Sequence, residues 1–171
     1  LIGIIGSTAL ILCGFGLMNS INGMLDKAFN ETVQYNVEIK LRTSLAQEQL
    51  SDIYDILDGA KNIDETMAFG VYLYGENGQM QNPYLVVMDE GQKSLNFKDI
   101  NGLAVRLPEN GILITPRMAE YLSVGVGDTL KAERLDGTVL SLEVTDIVDF
   151  PVGNEVYIKP LLGRCRICLF S

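Results

Sequence analysis

The longest uncharged, mainly apolar part of the chain is its start. Residues 1–25 carry no charge, and Asp26 is the first charged residue. A helix needs about 20 apolar residues to cross the hydrocarbon core of a bilayer, and residues 1–18 nearly supply them. A signal peptide would instead show a basic segment before a shorter apolar core and a small-x-small cleavage site after it. Because neither is visible, we predict a transmembrane helix over residues 1–25. Its start is expected to precede this sequence, which makes the chain a fragment of a larger membrane protein.

Small side chains recur along this predicted span. They let helices approach closely in lipid, but glycine is also commoner in membrane helices in general. The composition therefore leaves open whether the helix packs within a bundle of several spans. Residues 19–30 are expected to continue the helix out of the membrane as a stalk. The small residues concerned are Gly3, Gly6, Ser7, Thr8, Ala9, Gly14 and Gly16.

Beyond this helix the pattern changes to strict alternation. Residues 33–42 place apolar side chains at every second position between polar ones, which predicts a strand with one buried face. A helix is expected next, because Thr43 or Ser44 can act as its N-cap and an apolar stripe follows. Gly59 stands where a helix-terminating glycine is common.

The second half of the chain alternates strand patterns with turn signals. Asn77-Gly78 and Asp136-Gly137 are typical two-residue hairpin turns between strands. Residues 89–102 are polar and are predicted to be a loop or a short helix. The predicted strands are residues 66–74, 80–88, 111–114, 129–135, 138–148 and 155–158.

Between the two hairpin turns, a short helix is expected after a buried strand. Thr115 is in position to cap it, and Pro116 suits its first turn. A tight turn at residues 124–128 then leads into the next strand, with Gly127 expected at positive φ. The side chains of the helix that would face the core are Met118, Ala119 and Leu122.

Composition limits the chemistry available to residues 26–160, the predicted outside domain. The chain contains no histidine, which excludes Ser-His-Asp triads, Cys-His pairs and His-ligated metal sites. Its net charge is −9, whereas a phosphate-binding surface needs clustered Lys and Arg, so no nucleic-acid partner is expected. All 22 acidic residues lie in this domain. Because cytoplasmic flanks of membrane helices carry excess Lys and Arg, we expect the domain to face outside the cytoplasm.

No catalytic, cofactor-binding or metal-binding motif is recognisable. The glycine pairs at residues 14–16 and 125–127 lack the Lys-Ser/Thr of a phosphate-binding loop. Cys165 and Cys168 form a single CxxC in an atypical tail, residues 161–171. A zinc site needs four ligands and a redox CxxC needs a thioredoxin-like unit, and neither context is visible. We therefore expect no enzymatic activity and no cofactor in this chain.

One segment is specific enough to suggest a family. Residues 111–130 read GILITPRMAEYLSVGVGDTL. They resemble a segment in the extracytoplasmic domain of FtsX-like ABC transporter permeases, the group with the macrolide-exporter and lipoprotein-releasing permeases. Residues 144–149 and 156–158 resemble later strands of that domain, and there too a membrane helix leads directly into a large outside domain. The residues that carry the motif are Gly111, Thr115, Pro116, Ala119, Leu122, Gly127 and Asp128.

The resemblance implies both a fold and a function. The implied fold is α+β: an N-terminal transmembrane helix, then a mixed α/β extracytoplasmic domain with a small β unit after the Gly-Asp turn. The implied function is that of a permease subunit whose outside domain relays ATP-driven motion to substrate export or to a regulated partner. The implied partners are a cytoplasmic ABC ATPase on a separate chain, membrane lipid, and a second permease half or copy. The pattern also allows a sensor ectodomain of a membrane-anchored receptor or an adhesion domain on an anchor.

Overall fold

The protein consists of a long apolar helix followed by a head, residues 33–160, in which helices and strands are mixed. This agrees with the coarse fold expected from the sequence. The predicted tail with Cys165 and Cys168 lies outside the residues that the structure describes. The computed structural model describes residues 2–41, 47–57, 59–89, 91–150 and 153–160.

The long helix, α1, spans Ile2–Asp26 and is exposed from Ile5 onward. Its 25 residues give a length of about 37 Å, against about 30 Å for the hydrocarbon core of a bilayer. Within the described residues it is the one helix long and apolar enough to cross a membrane, judged by length and composition. A π-helical segment, Lys27–Thr32, continues it without a break. We call these six residues the π segment.

Two shorter helices belong to the head. One is α2, Gln47–Ile56, which confirms the helix expected before Gly59, whose φ is +93°. The predicted caps Thr43 and Ser44 lie outside the described residues. The other is α3, Pro116–Leu122, which begins where Thr115-Pro116 predicts.

The predicted strand over residues 33–42 is wrong in its described part. Val33 forms one isolated antiparallel bridge with Leu95, and residues 34–41 belong to no strand. The side chains that alternation was expected to bury are exposed, Val37 by 73% and Ile39 by 53%. Alternation defines an apolar face, but a strand also needs a neighbouring backbone to accept and donate its hydrogen bonds. The described residues place no such neighbour beside this segment after its first contact.

The strands from residue 66 onward agree closely with the sequence pattern. The first, β1, is Thr66–Tyr74. The stretch predicted as one strand over residues 80–88 divides into β2, Met80–Gln81, and β3, Tyr84–Met88. The division falls at Pro83, because proline has no amide hydrogen with which to continue the ladder.

The remaining strands complete the head. The polar stretch at residues 89–102, expected to be loop or short helix, contains a two-residue strand that pairs with the next one along the chain. Of the others, the four from residue 112 onward lie within one residue of their predicted positions, and the one at residues 104–105 was not predicted. In chain order they are β4 (Phe97–Lys98), β5 (Ala104–Val105), β6 (Ile112–Ile114), β7 (Thr129–Arg134), β8 (Val139–Ile147) and β9 (Glu155–Ile158).

A closed sheet forms the centre of the head. Within the described residues it has seven strands in the order β2-β1-β3-β9-β6-β8-β7, and an additional β1–β7 pairing joins β7 back to β1, so that all of these strands except β2 form a barrel-like ring. The long strand β1 makes closure possible, since residues 66–70 pair with β3 and residues 71–74 pair with β7. The expected small β unit is therefore corrected: β7 and β8, which follow the Gly-Asp turn, belong to this larger closed sheet.

Two apolar clusters lie on the two faces of the sheet. The inner cluster fills the ring and includes Met118, Ala119 and Leu122 of α3, as their spacing predicts. The outer cluster lies on the other face and is built around Phe97 of β4 and Tyr157 of β9. The alternation of β9 separates the two, because its neighbours in sequence point to opposite faces of a sheet.

Candidate coupling site

The motif residues at positions 111–128 contact one strand, β8, at both ends of the motif. Gly111 has φ +89°, and a Cβ there would lie 2.6 Å from the Glu143 carbonyl oxygen. The Gly127 amide donates to the Val144 carbonyl at 2.8 Å, and the Val144 amide donates to the Asp128 carbonyl at 2.8 Å. The two ends of the motif, distant in sequence, therefore meet at neighbouring residues of the same strand.

The turn before β7 has the geometry that the sequence predicts. Gly127 has φ +92°, which favours glycine. The Asp128 carboxylate accepts a hydrogen bond from the Gly125 amide at 2.7 Å. A Cβ on Gly127 would meet nothing within 4 Å, so its glycine is required by the backbone dihedral and not by space.

Helix α3 is capped as expected. Thr115 has an extended backbone, and its hydroxyl oxygen accepts a hydrogen bond from the Met118 amide at 3.4 Å. Pro116 occupies the first turn, while Ala119 and Leu122 are buried in the inner cluster. Every side chain of the motif is thus engaged in a turn, a cap or the core. The motif therefore contributes to the structure of the ring.

Among the described residues, no group of three or more cysteine, aspartate or glutamate side chains is arranged to hold a metal ion. Cys13 is exposed on α1. The charged groups that meet across the longest sequence separations lie where the π segment contacts the head.

Two ion pairs connect the π segment to the head. Lys27 contacts the Asp149 carboxylate, and these residues are 122 positions apart. Glu31 Oε2 lies 2.7 Å from Lys98 Nζ. Lys27 and Glu31 are four positions apart, so both pairs lie on the side of the segment that faces the head. Each pair is partly or fully exposed, and its contribution to stability is correspondingly small.

Backbone hydrogen bonds reinforce this contact. The Asn96 amide donates to the Thr32 carbonyl at 2.9 Å, and the Gln34 amide donates to the Ser94 carbonyl at 2.8 Å. Thr32 is buried, and its hydroxyl donates to the Lys27 carbonyl at 3.2 Å. We call these contacts, together with the two ion pairs, the junction.

The outer cluster lies directly beneath the junction. The rings of Phe97 and Phe150 stand 4.7 and 5.3 Å from the ring of Tyr157, measured between centroids. Tyr157 is buried, and its hydroxyl donates to Glu155 Oε2 at 2.5 Å. Burial, with the nearby Glu155 carboxylate, raises the pKa of Tyr157, which keeps the phenol protonated. Continuous packing therefore runs from the π segment through β4 to β9.

The junction was missed by sequence reasoning. Its ion pairs join residues 122 and 67 positions apart, and a lone Lys or Asp in an acidic sequence carries no sign of its partner. Phe97 lies in a stretch expected to be loop or short helix. The one signal in the sequence was the position of Asp149 at the end of residues 144–149, the stretch that resembles a strand of the permease family.

The motif glycines give the first prediction. Gly127→Ala should destabilise the head by about 1 kcal/mol, because alanine is strained at positive φ. Gly111→Ala should destabilise the head more, because the alanine would be strained at positive φ and its Cβ would also clash with the β8 backbone. Gly125→Ala is the matched control, because its Cβ would lie 3.7 Å from the Asp128 carboxylate, an ordinary contact. Urea unfolding in detergent measures all three, and equal effects at positions 111 and 125 would contradict the assignment.

The junction gives a pH-dependent prediction. The hydrogen bond and charge of Lys98 lower the pKa of Glu31. A carboxylate with a lowered folded pKa stabilises the fold above its ordinary pKa, and that stabilisation disappears as the pH falls through the folded value. Glu31→Gln should therefore lower the melting temperature slightly at neutral pH and leave it unchanged in acid. In a Lys98→Met background the same substitution should have a smaller effect at neutral pH, because only the weaker influence of the Lys27 charge remains; an undiminished effect there would contradict the pairing.

Comparison with known proteins leaves the resemblance of residues 111–130 without independent support. No protein-family model matches the chain, and no curated protein matches it. The function must therefore be argued from the geometry of the junction and from the properties of α1.

Proposed function

We propose that the protein is a membrane-spanning permease subunit of an ABC transporter, whose head receives ATP-driven motion through the junction and passes it to a substrate or a regulated partner. The observation that carries the proposal is the continuity of α1 with the π segment and the attachment of that segment to the head. A head on a flexible linker would move independently of its membrane helix. Here the helix ends in contact with β4 and with Asp149, just after β8.

The arrangement of the junction suits the transmission of force. Its contacts occur at successive levels along the helix axis: Lys27 first, then Glu31, then the backbone pairing at Val33. Attachment at three levels resists both rotation about the axis and bending at the end of α1. Displacement of the helix would therefore reach β4 and, through the rings of the outer cluster, β9.

The surface of α1 supports a partner in the membrane. Its large apolar side chains are exposed, which suits contact with lipid. A row of small residues at alternating spacings of three and four also lies along one face, as in helices that pack closely in bilayers. This row favours a second permease half or copy beside α1. Its members are Gly6, Ala9, Cys13, Gly16, Ser20 and Gly23.

The source of energy would be a separate protein. The chain carries no phosphate-binding motif, so ATP hydrolysis is assigned to a cytoplasmic ATPase subunit that binds the permease. The chain itself would need no cofactor and would perform no hydrolysis. Residues 26–160, which carry all 22 acidic residues, are placed outside the cytoplasm in this proposal.

The proposed orientation has a direct test. Asn77 is exposed in the turn between β1 and β2. In a chain with Cys13, Cys165 and Cys168 replaced, Asn77→Cys should react with a membrane-impermeant thiol reagent in intact cells. Leu12→Cys, on the exposed surface of α1, should stay unreacted because lipid covers it. Labelling at position 77 only after lysis would reverse the orientation, and an intact mass lacking α1 would identify a removed signal sequence.

The proposed activity has a second test. The protein expressed from its complete gene should co-purify in detergent with a nucleotide-binding subunit, and the complex should hydrolyse ATP. Replacing the phosphate-binding lysine of that subunit should abolish hydrolysis, because this lysine contacts the transferred phosphate. Lys98→Glu should leave co-purification intact, since Lys98 lies in the head. A protein with one span and no ATPase partner would overturn the permease proposal in favour of a receptor ectodomain.

A further inference from the structure

The hairpin between β4 and β5 presents two large apolar side chains to solvent. Ile100 is 68% exposed and Leu103 is 67% exposed. The turn that carries them is locally fixed, because the Asp99 carboxylate accepts hydrogen bonds from the amides of Asn101 at 2.9 Å and Leu103 at 2.7 Å. Gly102 supplies the positive φ of +82° that the turn requires. We call residues 99–103 the hairpin tip.

The contacts of β4 establish which way this tip points. Leu95 pairs with Val33 in antiparallel orientation. Residues after Leu95 therefore run alongside residues before Val33, which is the direction of α1. Lys98, three positions after Leu95, accordingly reaches Glu31 in the π segment.

A second contact indicates the same direction for the hairpin. The Asp149 amide donates to the Lys98 carbonyl at 2.8 Å, and the Asp149 carboxylate contacts Lys27, the first residue of the π segment. The backbone at Lys98 is thus close to the level of Lys27 along the helix axis. Since the tip begins at the next residue and continues in the same direction, it lies beside the end of α1, near Asp26.

We propose that the hairpin tip inserts Ile100 and Leu103 into the lipid–water interface next to α1. This inference rests on the proposed membrane span, because the uncharged part of α1 ends at Leu25 and so sets the interface at about that level. Apolar side chains held at this depth leave water for the boundary between headgroups and acyl chains. Phe29, which is 65% exposed in the π segment, lies close to the same level.

The expected lipid is one with a neutral headgroup. The lysines nearest the tip, Lys27 and Lys98, are already paired with carboxylates of the protein. The chain has a net charge of −9, which gives no general attraction to anionic lipids. Insertion would therefore depend on apolar burial and should occur in phosphatidylcholine alone.

Insertion would add a second point of membrane attachment to the head. With α1 alone, the head could tilt about a single helix. With α1 and the tip both anchored, movement of the helix relative to the bilayer would be converted into a defined rocking of β4 and the outer cluster. The tip would thus act as a fulcrum for the proposed transmission.

The experiment uses the whole chain in phosphatidylcholine nanodiscs, with Cys13, Cys165 and Cys168 replaced. An environment-sensitive fluorophore is attached to Leu103→Cys, and lipids brominated near the headgroup end of the acyl chains serve as the quencher. Leu135→Cys is the matched control, a 77% exposed leucine after β7, which pairs with β1 and not with the π segment.

The expected result is a blue-shifted emission at position 103 and quenching several-fold stronger than at position 135. A label at Leu12→Cys, 13 residues or about 20 Å along the helix from Leu25, is read instead with lipids brominated near the ends of the acyl chains, and it reports independently whether α1 is in the bilayer. If the label at position 12 is quenched while position 103 matches position 135, the tip proposal is overturned and the membrane span stands. If the label at position 12 is not quenched, the span and the tip proposal fail together.

Discussion

The pairing of β1 with β7 is the constraint on which the rest of the head depends. It joins β7 back to β1 and so encloses the apolar face of α3 within the ring. It also gives every strand of the ring a defined inner and outer side. On β9, Val156 and Ile158 therefore lie in the inner cluster while Tyr157, between them, lies in the outer one. The strand β9 thus connects the inner cluster to the outer cluster, which lies beneath the junction with the π segment.

The stability of the head and its proposed mechanical role are supported by different interactions. The inner cluster is apolar and fully enclosed, so it supplies the large burial term that a domain needs. The junction is made of two exposed or partly exposed ion pairs and a few backbone hydrogen bonds, which contribute little to stability. Weak polar contacts of defined geometry are suited to orienting a helix against a folded head. They set the direction of the helix, and little free energy is needed to break them when the junction rearranges.

The Gly-Asp segment illustrates how a family-like motif can be structural in this chain. Gly111 allows β6 to approach β8, and the turn at Gly127 and Asp128 binds the neighbouring part of the same strand. The motif therefore closes the region of the ring around β6, β7 and β8. Helix α3 of the motif packs in the inner cluster, whereas the junction contacts β4 and Asp149. The resemblance and the mechanical proposal share Asp149, which ends the stretch that resembles a family strand.

The sequence alone determined those features whose causes lie within a few residues. The apolar length of α1 follows directly from its residues. The Thr115 cap depends on one hydrogen bond, and each glycine turn depends on one dihedral angle. Each of these features was predicted where it occurs. The tertiary structure decided the features that need a distant partner. Alternation in residues 33–42 predicted a strand, but after the Val33–Leu95 bridge and the Gln34–Ser94 hydrogen bond no described neighbour pairs with residues 35–41. Lys27 contacts Asp149 across 122 positions, because the bridges Val33–Leu95 and Asp99–Val148, and not any local pattern, bring the end of β8 to the π segment.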